Sequence, residues 1–253
     1  MDLNNFFTNR KTVRSYTSQD VDDQLLSQML ALSFNAPTTG GMQLYSVVVT
    51  RSAEGKRRLA PCHFNQPMVT QAPVVLTFCA DFNRFITWCE ARKAKHGFNN
   101  FESFVSAMLD AAIVAQQFNT IAEINGLGCC YLGTTTYNAK DIAIALDLPK
   151  YVIPIVTLTL GYPDDVALEA PKAERLNPSH LIHDEYYHCY NPSDIDMIYS
   201  EKENLEVNKR FVAENNKENL AQVFTDVRYP ADASEHFSKL LYEFINTNGF
   251  PFP

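Results

Sequence analysis

FESFVSAMLDAAIVAQQFNTIAEINGLGCCYLGT, residues 101–134, is the stretch whose reading decides the fold. Residues 101–125 are apolar nearly all round a helical wheel, so a helix there belongs in the core. Asn125-Gly126 supplies its stop, since glycine takes the left-handed backbone that ends helices. The short apolar run 129–132 that follows reads as a buried strand. Upstream, residues 18–34 place Leu25, Leu26, Met29, Leu30 and Ala31 at helical spacing behind an acidic first turn. The turn residues of 35–41, NAPTTGG, end that helix. YSVVVT at 45–50 and VVLTFC at 74–79 are short and β-branched, as buried strands are. Downstream come a helix near 139–146 and a strand around 153–160, where Pro154 suggests an edge or a strand start. Helices alternating with strands in this order indicate a layered α+β or α/β core. Beyond Gly161-Tyr-Pro163 the chain turns polar, rich in Pro, Asn and Tyr and short of strand signal. That tail reads as too polar for a core of its own and is expected to wrap something.

Composition narrows the function classes. The chain has 253 residues, enough for one or two domains, and 46% are hydrophobic and 20% charged, as in ordinary globular proteins. A formal net charge of -8 argues against a nucleic-acid or polyanion binder. No apolar run approaches the roughly 20 residues of a membrane-spanning helix. Residues 1–17 are polar and mixed, without a signal-peptide core. The six cysteines show no paired spacing, and several sit in apolar runs. A reducing, cytoplasmic compartment is expected, with no zinc site and no disulfide framework.

Four segments carry chemistry. Arg10, Lys11 and Arg14 with the hydroxyl of Thr12 set three cations and a donor within five residues, which suits one phosphate. Clusters of surface cations are also common. Pro37-Thr-Thr-Gly-Gly-Met-Gln43 offers close backbone approach to a flat ligand and an amide donor and acceptor at Gln43; a plain helix-stop loop is the other reading. Gly126-Leu-Gly-Cys-Cys-Tyr-Leu-Gly-Thr134 opens like GxGxxG, but Tyr131 takes the sixth place and a helix precedes it, the reverse of a dinucleotide fingerprint. The fourth runs from Lys172 to Arg175 and on to Pro178-Ser-His-Leu-Ile-His183. Ser179, His183 and Asp184 make no hydrolase, because the chain has no GxSxG elbow, and the six histidines show no metal spacing.

Taken together and in order, these blocks resemble the nitroreductase family, and within it the oxygen-insensitive NADPH nitroreductases and NADPH-flavin reductases. The blocks are RKTVR at 10–14 with Ser15-Tyr16, APTTGGMQLYS at 36–46, GLGCCYLG at 126–133, and LGYP at 160–163 followed by Arg175 and His183. Gln66 and Cys79-Ala-Asp-Phe-Asn-Arg84 match as well, so the likeness runs from Arg10 to about Tyr187. It implies an α+β fold with a mixed sheet flanked by helices, in an intertwined homodimer with FMN at the subunit interface. One domain over 1–253 is expected, with a core over about 1–163 and a wrapping C-terminal extension over about 164–253.

The resemblance also implies roles. Arg10, Lys11, Thr12 and Arg14 would hold the FMN phosphate, ribityl chain and pyrimidine edge. Thr39, Gly40, Gly41 and Gln43 would line the ring from the partner subunit, and Gln66 would hydrogen-bond to it. Tyr131, Leu132, Gly133 and Thr134 match the family's Tyr-Ile-Gly-Gly beside the flavin, while Lys172 and Arg175 match a late phosphate-binding pair. Arg10 stands where the family has histidine, Thr134 replaces the second glycine, and Lys172 is offset; these departures bear on substrate range. The implied activity is ping-pong hydride transfer through flavin N5, from NADPH or NADH to nitroaromatics, quinones or related small molecules, with no dedicated catalytic side chain. Flavin reduction, ring dehalogenation and a flavin-binding protein without turnover are the alternatives. Lys209, Arg210, Lys217 and Arg228 read as solvated tail charges as readily as a nicotinamide-phosphate site.

Overall fold

The computed structural model of the chain describes residues 2–252. In order its elements are α1 (Leu3–Asn9), α2 (Asp23–Ser33), β1 (Tyr45–Thr50), α3 (Ala53–Leu59), α4 (Pro67–Gln71), β2 (Val74–Asp81), α5 (Asn83–Ala91) and α6 (Phe101–Ile124). There follow β3 (Gly128–Leu132), α7 (Ala139–Ala145), β4 (Val152–Gly161), α8 (Asp165–Glu169), α9 (Pro192–Asn204), α10 (Glu206–Glu214), α11 (Leu220–Val223) and α12 (Ala231–Thr247). The chain divides into two compact units, one made of residues up to Ala170 together with those from Phe237 on, the other Pro171–His236.

The first unit is built on a sheet of order β1-β2-β4-β3. The resemblance implies a mixed sheet; within one chain every pairing is antiparallel. The reason lies in the connections, since α3 and α4 return the chain from β1 to β2, and α7 from β3 to β4, at the end where it left. Alternation then sorts side chains by face. Val74, Leu76, Phe78 and Cys129 join Ala111, Val114, Ala115 and Phe118 of α6, with Leu26 and Met29 of α2 beyond. Val75, Cys130 and Leu132 pack on the opposite face with Leu59, Val69 and Ile142 from α3, α4 and α7. All eight residues of β2 are buried.

β4 corrects the expectation drawn from Pro154. It is an interior strand, not an edge. Cys79 pairs with Pro154 and Phe78 with Val156, so the register slips at Ile155. A residue without an N–H is tolerated there because a bulge already interrupts the ladder.

α6 keeps the predicted span to within a residue. Asn100 caps its start by accepting from the Ser103 N–H, and past its end the Leu127 N–H returns to the Ala122 carbonyl at 3.0 Å. One part of the expectation changes: an apolar helix is not wholly buried here. Leu109 is 52% and Ile113 42% exposed.

The tail does not stay together. Tyr151 N–H donates to the Asn248 carbonyl at 2.9 Å, and the Asn248 amide to the Val152 carbonyl at 3.0 Å. Ile245 and Phe250 are buried with Leu44, Phe82, Phe104 and Ile153. Gly249 allows the approach: its φ is +114°, and a Cβ would stand 2.3 Å from the Tyr151 ring. The second unit, expected to lack a core, buries Ile198, Leu220 and Val223 among α9 to α11. There Asn208, also buried, donates to the Lys202 carbonyl at 2.7 Å and to Glu174 at 3.3 Å. Among the described residues no helix is long and apolar enough to cross a membrane.

Candidate functional site

The basic segment lies against β3. Val13 N–H donates to the Cys129 carbonyl at 3.0 Å, and its side chain occupies the place a Cβ would take at Gly128, whose nearest atom would be 2.3 Å away. A side chain at 128 would lift the cations off the strand. Just beyond, Tyr16 bridges to Pro163, and the Thr17 N–H donates to the Tyr162 carbonyl at 2.9 Å. Three of the four sequence blocks thus meet around β3 and the end of β4.

Each cation there has a different surrounding. Arg10 pairs with Glu123 of α6 at 3.0 Å; burial pushes that carboxyl up, and Arg10 opposes the push. Lys11 donates to the carbonyls of Leu168 and, at 3.1 Å, Ala170, so it caps the C-terminal end of α8. Thr12 is half-buried and Arg14 exposed. Arg14 stands by Cys130, whose thiol burial pushes up against the pull of the guanidinium. Burial pushes Cys129 up as well, and the two cysteines point to opposite faces of the sheet. Buried protonated thiols are inert.

At the end of β3, Tyr131 is exposed and donates from its hydroxyl to Gln116 of α6 at 3.1 Å, whereas Leu132 is buried. Gly133 follows, exposed, with open space around the position of a Cβ. Thr134 turns inward. Its hydroxyl meets Nδ1 of the buried His63 at 2.8 Å, so the side chain that replaces a family glycine points into the protein. Burial pulls the His63 imidazole down to about 4, leaving it neutral near pH 7. Its Nε2 has no hydrogen-bond partner among the described residues. Orphaned buried groups of this kind cost about 1–3 kcal/mol. Gln66, half-buried, stands three residues on at the start of α4, and its N–H donates to the His63 carbonyl at 3.1 Å.

Thr39, Gly40, Gly41 and Gln43 are elsewhere. They precede β1, at the edge opposite β3, and three inter-strand steps separate the two edges by roughly 14 Å. Asp110 of α6, 1% exposed, fixes their loop. Its carboxylate accepts from the Thr39 N–H at 2.9 Å, the Leu44 N–H at 3.1 Å and the hydroxyls of Thr38 and Thr39. Arg84 holds the far side through the carbonyls of Gln43 and Tyr45. Gly40, Gly41 and Gln43 all have positive φ, and all are exposed.

Lys172 and Arg175 belong to the second unit, where Arg175 donates to the Glu174 carbonyl at 2.9 Å. Arg175 also lines a cavity of about 350 Å³ with Asn177, His180 and Met197. In the same unit the Ser179 hydroxyl goes to Asn177, and His183 accepts from the His188 N–H and meets the Tyr190 hydroxyl. Those partners leave no catalytic triad.

A family model described as the nitroreductase family matches residues 7–162. The chain belongs to the nitroreductase family. Among nitroreductase relatives, the FMN reductase [NAD(P)H] of Bacillus subtilis is 30% identical over 234 residues, 88% of this chain and 91% of that protein. The oxygen-insensitive NADPH nitroreductase of Salmonella typhimurium is 29% identical over 177 residues, 70% of this chain and 71% of its own. A crystal structure from Bacteroides fragilis superposes with a TM-score of 0.94 at 51% identity, covering 97% of this chain and 99% of that one.

Sequence reasoning missed Asp110, Glu123 and His63. For the first two a signal existed: carboxylates inside a helix that is otherwise apolar need partners when buried. For His63 there was none, since PCHF at 61–64 reads as an ordinary turn.

Two measurements follow. Asp110→Asn should lose about 1.5–3 kcal/mol of stability, because a charged acceptor of several bonds becomes neutral. Hydrogen exchange should quicken at Thr39 and Leu44 in that variant. For His63, the unfolded imidazole takes its proton near the ordinary value of 6.5 and the folded one only near 4. Stability is therefore complete above pH 6.5 and falls as the pH drops toward 4. Denaturant titration should find the wild type losing roughly 2–3 kcal/mol more than His63→Leu between pH 7 and 4.5.

Proposed function

We propose that the chain is an FMN-dependent NAD(P)H oxidoreductase that reduces nitroaromatics, quinones or related small acceptors, working as a cytoplasmic homodimer. The observation that carries this is that the 10–14 cations lie along β3, the open Gly133 turn follows at its end, and Gln66 stands three residues past His63, which bonds Thr134. These residues fit FMN chemically. Arg14 and Thr12 offer donors to a phosphate, and Arg10 retains guanidinium donors beyond those used by Glu123. The uncrowded backbone at Gly133 leaves room for a flat ring. Gln66 offers an amide to the ring's polar edge.

When bound, FMN would supply the hydride-transfer chemistry between the nicotinamide and the acceptor. The chain's own residues hold and tune it. A cation such as Arg14 and a donor such as Gln66 favour the electron-rich reduced form. At the β3 edge His63 is buried and neutral, and burial makes the Cys129 and Cys130 thiols hold their protons. Protons would come from water.

The two-edged layout supports a homodimer. Thr39, Gly40, Gly41 and Gln43 cannot reach the β3 edge of their own chain, but a second copy could bring its loop there. Leu109 and Ile113 of α6, with Leu32 on α2, form an exposed apolar stripe beside that loop's Asp110 anchor, as an interface requires.

Anaerobic NADPH should bleach the bound flavin, and a panel of nitroaromatics, quinones and free FMN should identify the acceptor by return of colour. Protein that stays oxidised under NADPH would sink the reading. In the same preparation Arg14→Ala should bind FMN about ten- to a hundredfold more weakly, as the loss of one charge-assisted bond predicts. Leu109→Glu with Ile113→Glu should turn the dimer into a monomer in light scattering and remove FMN with it; a flavin-loaded monomer would contradict the shared site.

A further inference from the structure

Two short turns meet under the β3 edge, Pro61–His63 and Gly133–Thr135. The second is fixed to the sheet, because the Thr135 hydroxyl donates to the Leu132 carbonyl at 2.7 Å and accepts from the Thr157 N–H at 3.1 Å. The Asn138 amide reaches the Cys62 carbonyl at 2.7 Å, which brings the first turn alongside. Between them lies the bond from His63 Nδ1 to the Thr134 hydroxyl. It is the ring's one polar contact among the described residues, for Nε2 is buried without a partner. A leucine would fill that space without the polar penalty, so packing does not account for an imidazole here. Directly after His63, Phe64 and Asn65 both take left-handed backbone with φ of 54°, and the chain arrives at Gln66. Such paired strain persists only where neighbours hold it.

We propose that His63 is a positioning residue for the flavin: by holding the Thr134 hydroxyl it sets the Gly133 turn and the Gln66 loop at the spacing the ring needs. The inference rests on the FMN reading above. The imidazole does this as a neutral group, so it adds geometry to the site and no charge.

The test uses the full chain as wild type, His63→Leu, His63→Asn, Thr134→Val and the Leu/Val double variant. Each is checked for folding by circular dichroism, and apo-protein is titrated with FMN while flavin fluorescence and the visible spectrum are recorded. His63→Leu and Thr134→Val should each weaken FMN binding about tenfold and shift the flavin spectrum. The double variant should bind no more weakly than either single one, as for two ends of one bond. His63→Asn should return affinity to within about threefold, because its amide stands where Nδ1 does. Wild-type affinity and spectrum in folded His63→Leu would overturn the proposal, as would additive losses in the double variant. Should His63→Leu not fold, Thr134→Val decides in the same terms, with Thr134→Ser as its rescue. Wild-type protein that binds no FMN would bring down the flavin reading and this one together; unaltered variants of a wild type that does bind bring down this one alone.

Discussion

The central strands β2 and β4 have almost no face left for water. Every residue of β2 is buried, and β4 is buried or half-buried along its length. Helices must therefore cover both faces of the sheet, α2 and α6 on one, α3, α4 and α7 on the other. Polar groups that serve a ligand cannot stand on such strands without large desolvation costs. They are driven to the ends and edges of the sheet. One group gathers on β3 with the basic segment beside it, and the other precedes β1. The layout of the proposed site follows from the burial of the sheet's middle.

Edges alone would leave those groups loose, and a few buried or half-buried polar side chains anchor them. Asp110 and Glu123 lie on the same helix, α6. Asp110 gathers the glycine loop, while Glu123 holds Arg10. One rigid helix thus supports parts of both edges. A removed partner would leave a carboxylate buried and unpaired, which is the costly state for an ion in a protein interior. That cost is what gives these contacts their positional value.

Most of the fold was legible in the sequence because period and composition speak for themselves in buried segments. β1 matched its predicted span, and α6 and α7 differed only at their ends. Pro154 misled because the rule that keeps proline at edges has an exception at bulges, and a bulge depends on the partner strand. The basic block, the β3 stretch and Gln66 were readable as site residues only through their resemblance to a family, since each alone also fits a surface loop. The structure lays the basic block along β3, while Gln66 stands three residues past His63, which bonds Thr134. What could not be read were the anchors' partners. Asp110 is bound to residues about 70 positions away in sequence, and His63 to Thr134 at a similar separation. Contacts of that range leave no local pattern.

The return of residues 248–250 to the first unit has a consequence for how the protein is made. The ribosome delivers Tyr151, Phe82 and Phe104 long before Phe250, the residue that closes their cluster. Until Phe250 has emerged, that core stays open and its aromatic side chains are without their cover. Pro171–His236, by contrast, emerges whole while the core still waits. It is in effect an insertion hung between two parts of one core, and domains tend to accept added or lost chain at such places. Changes of length within it leave that core's own contacts in place, whereas residues 248–250 cannot shift without opening it.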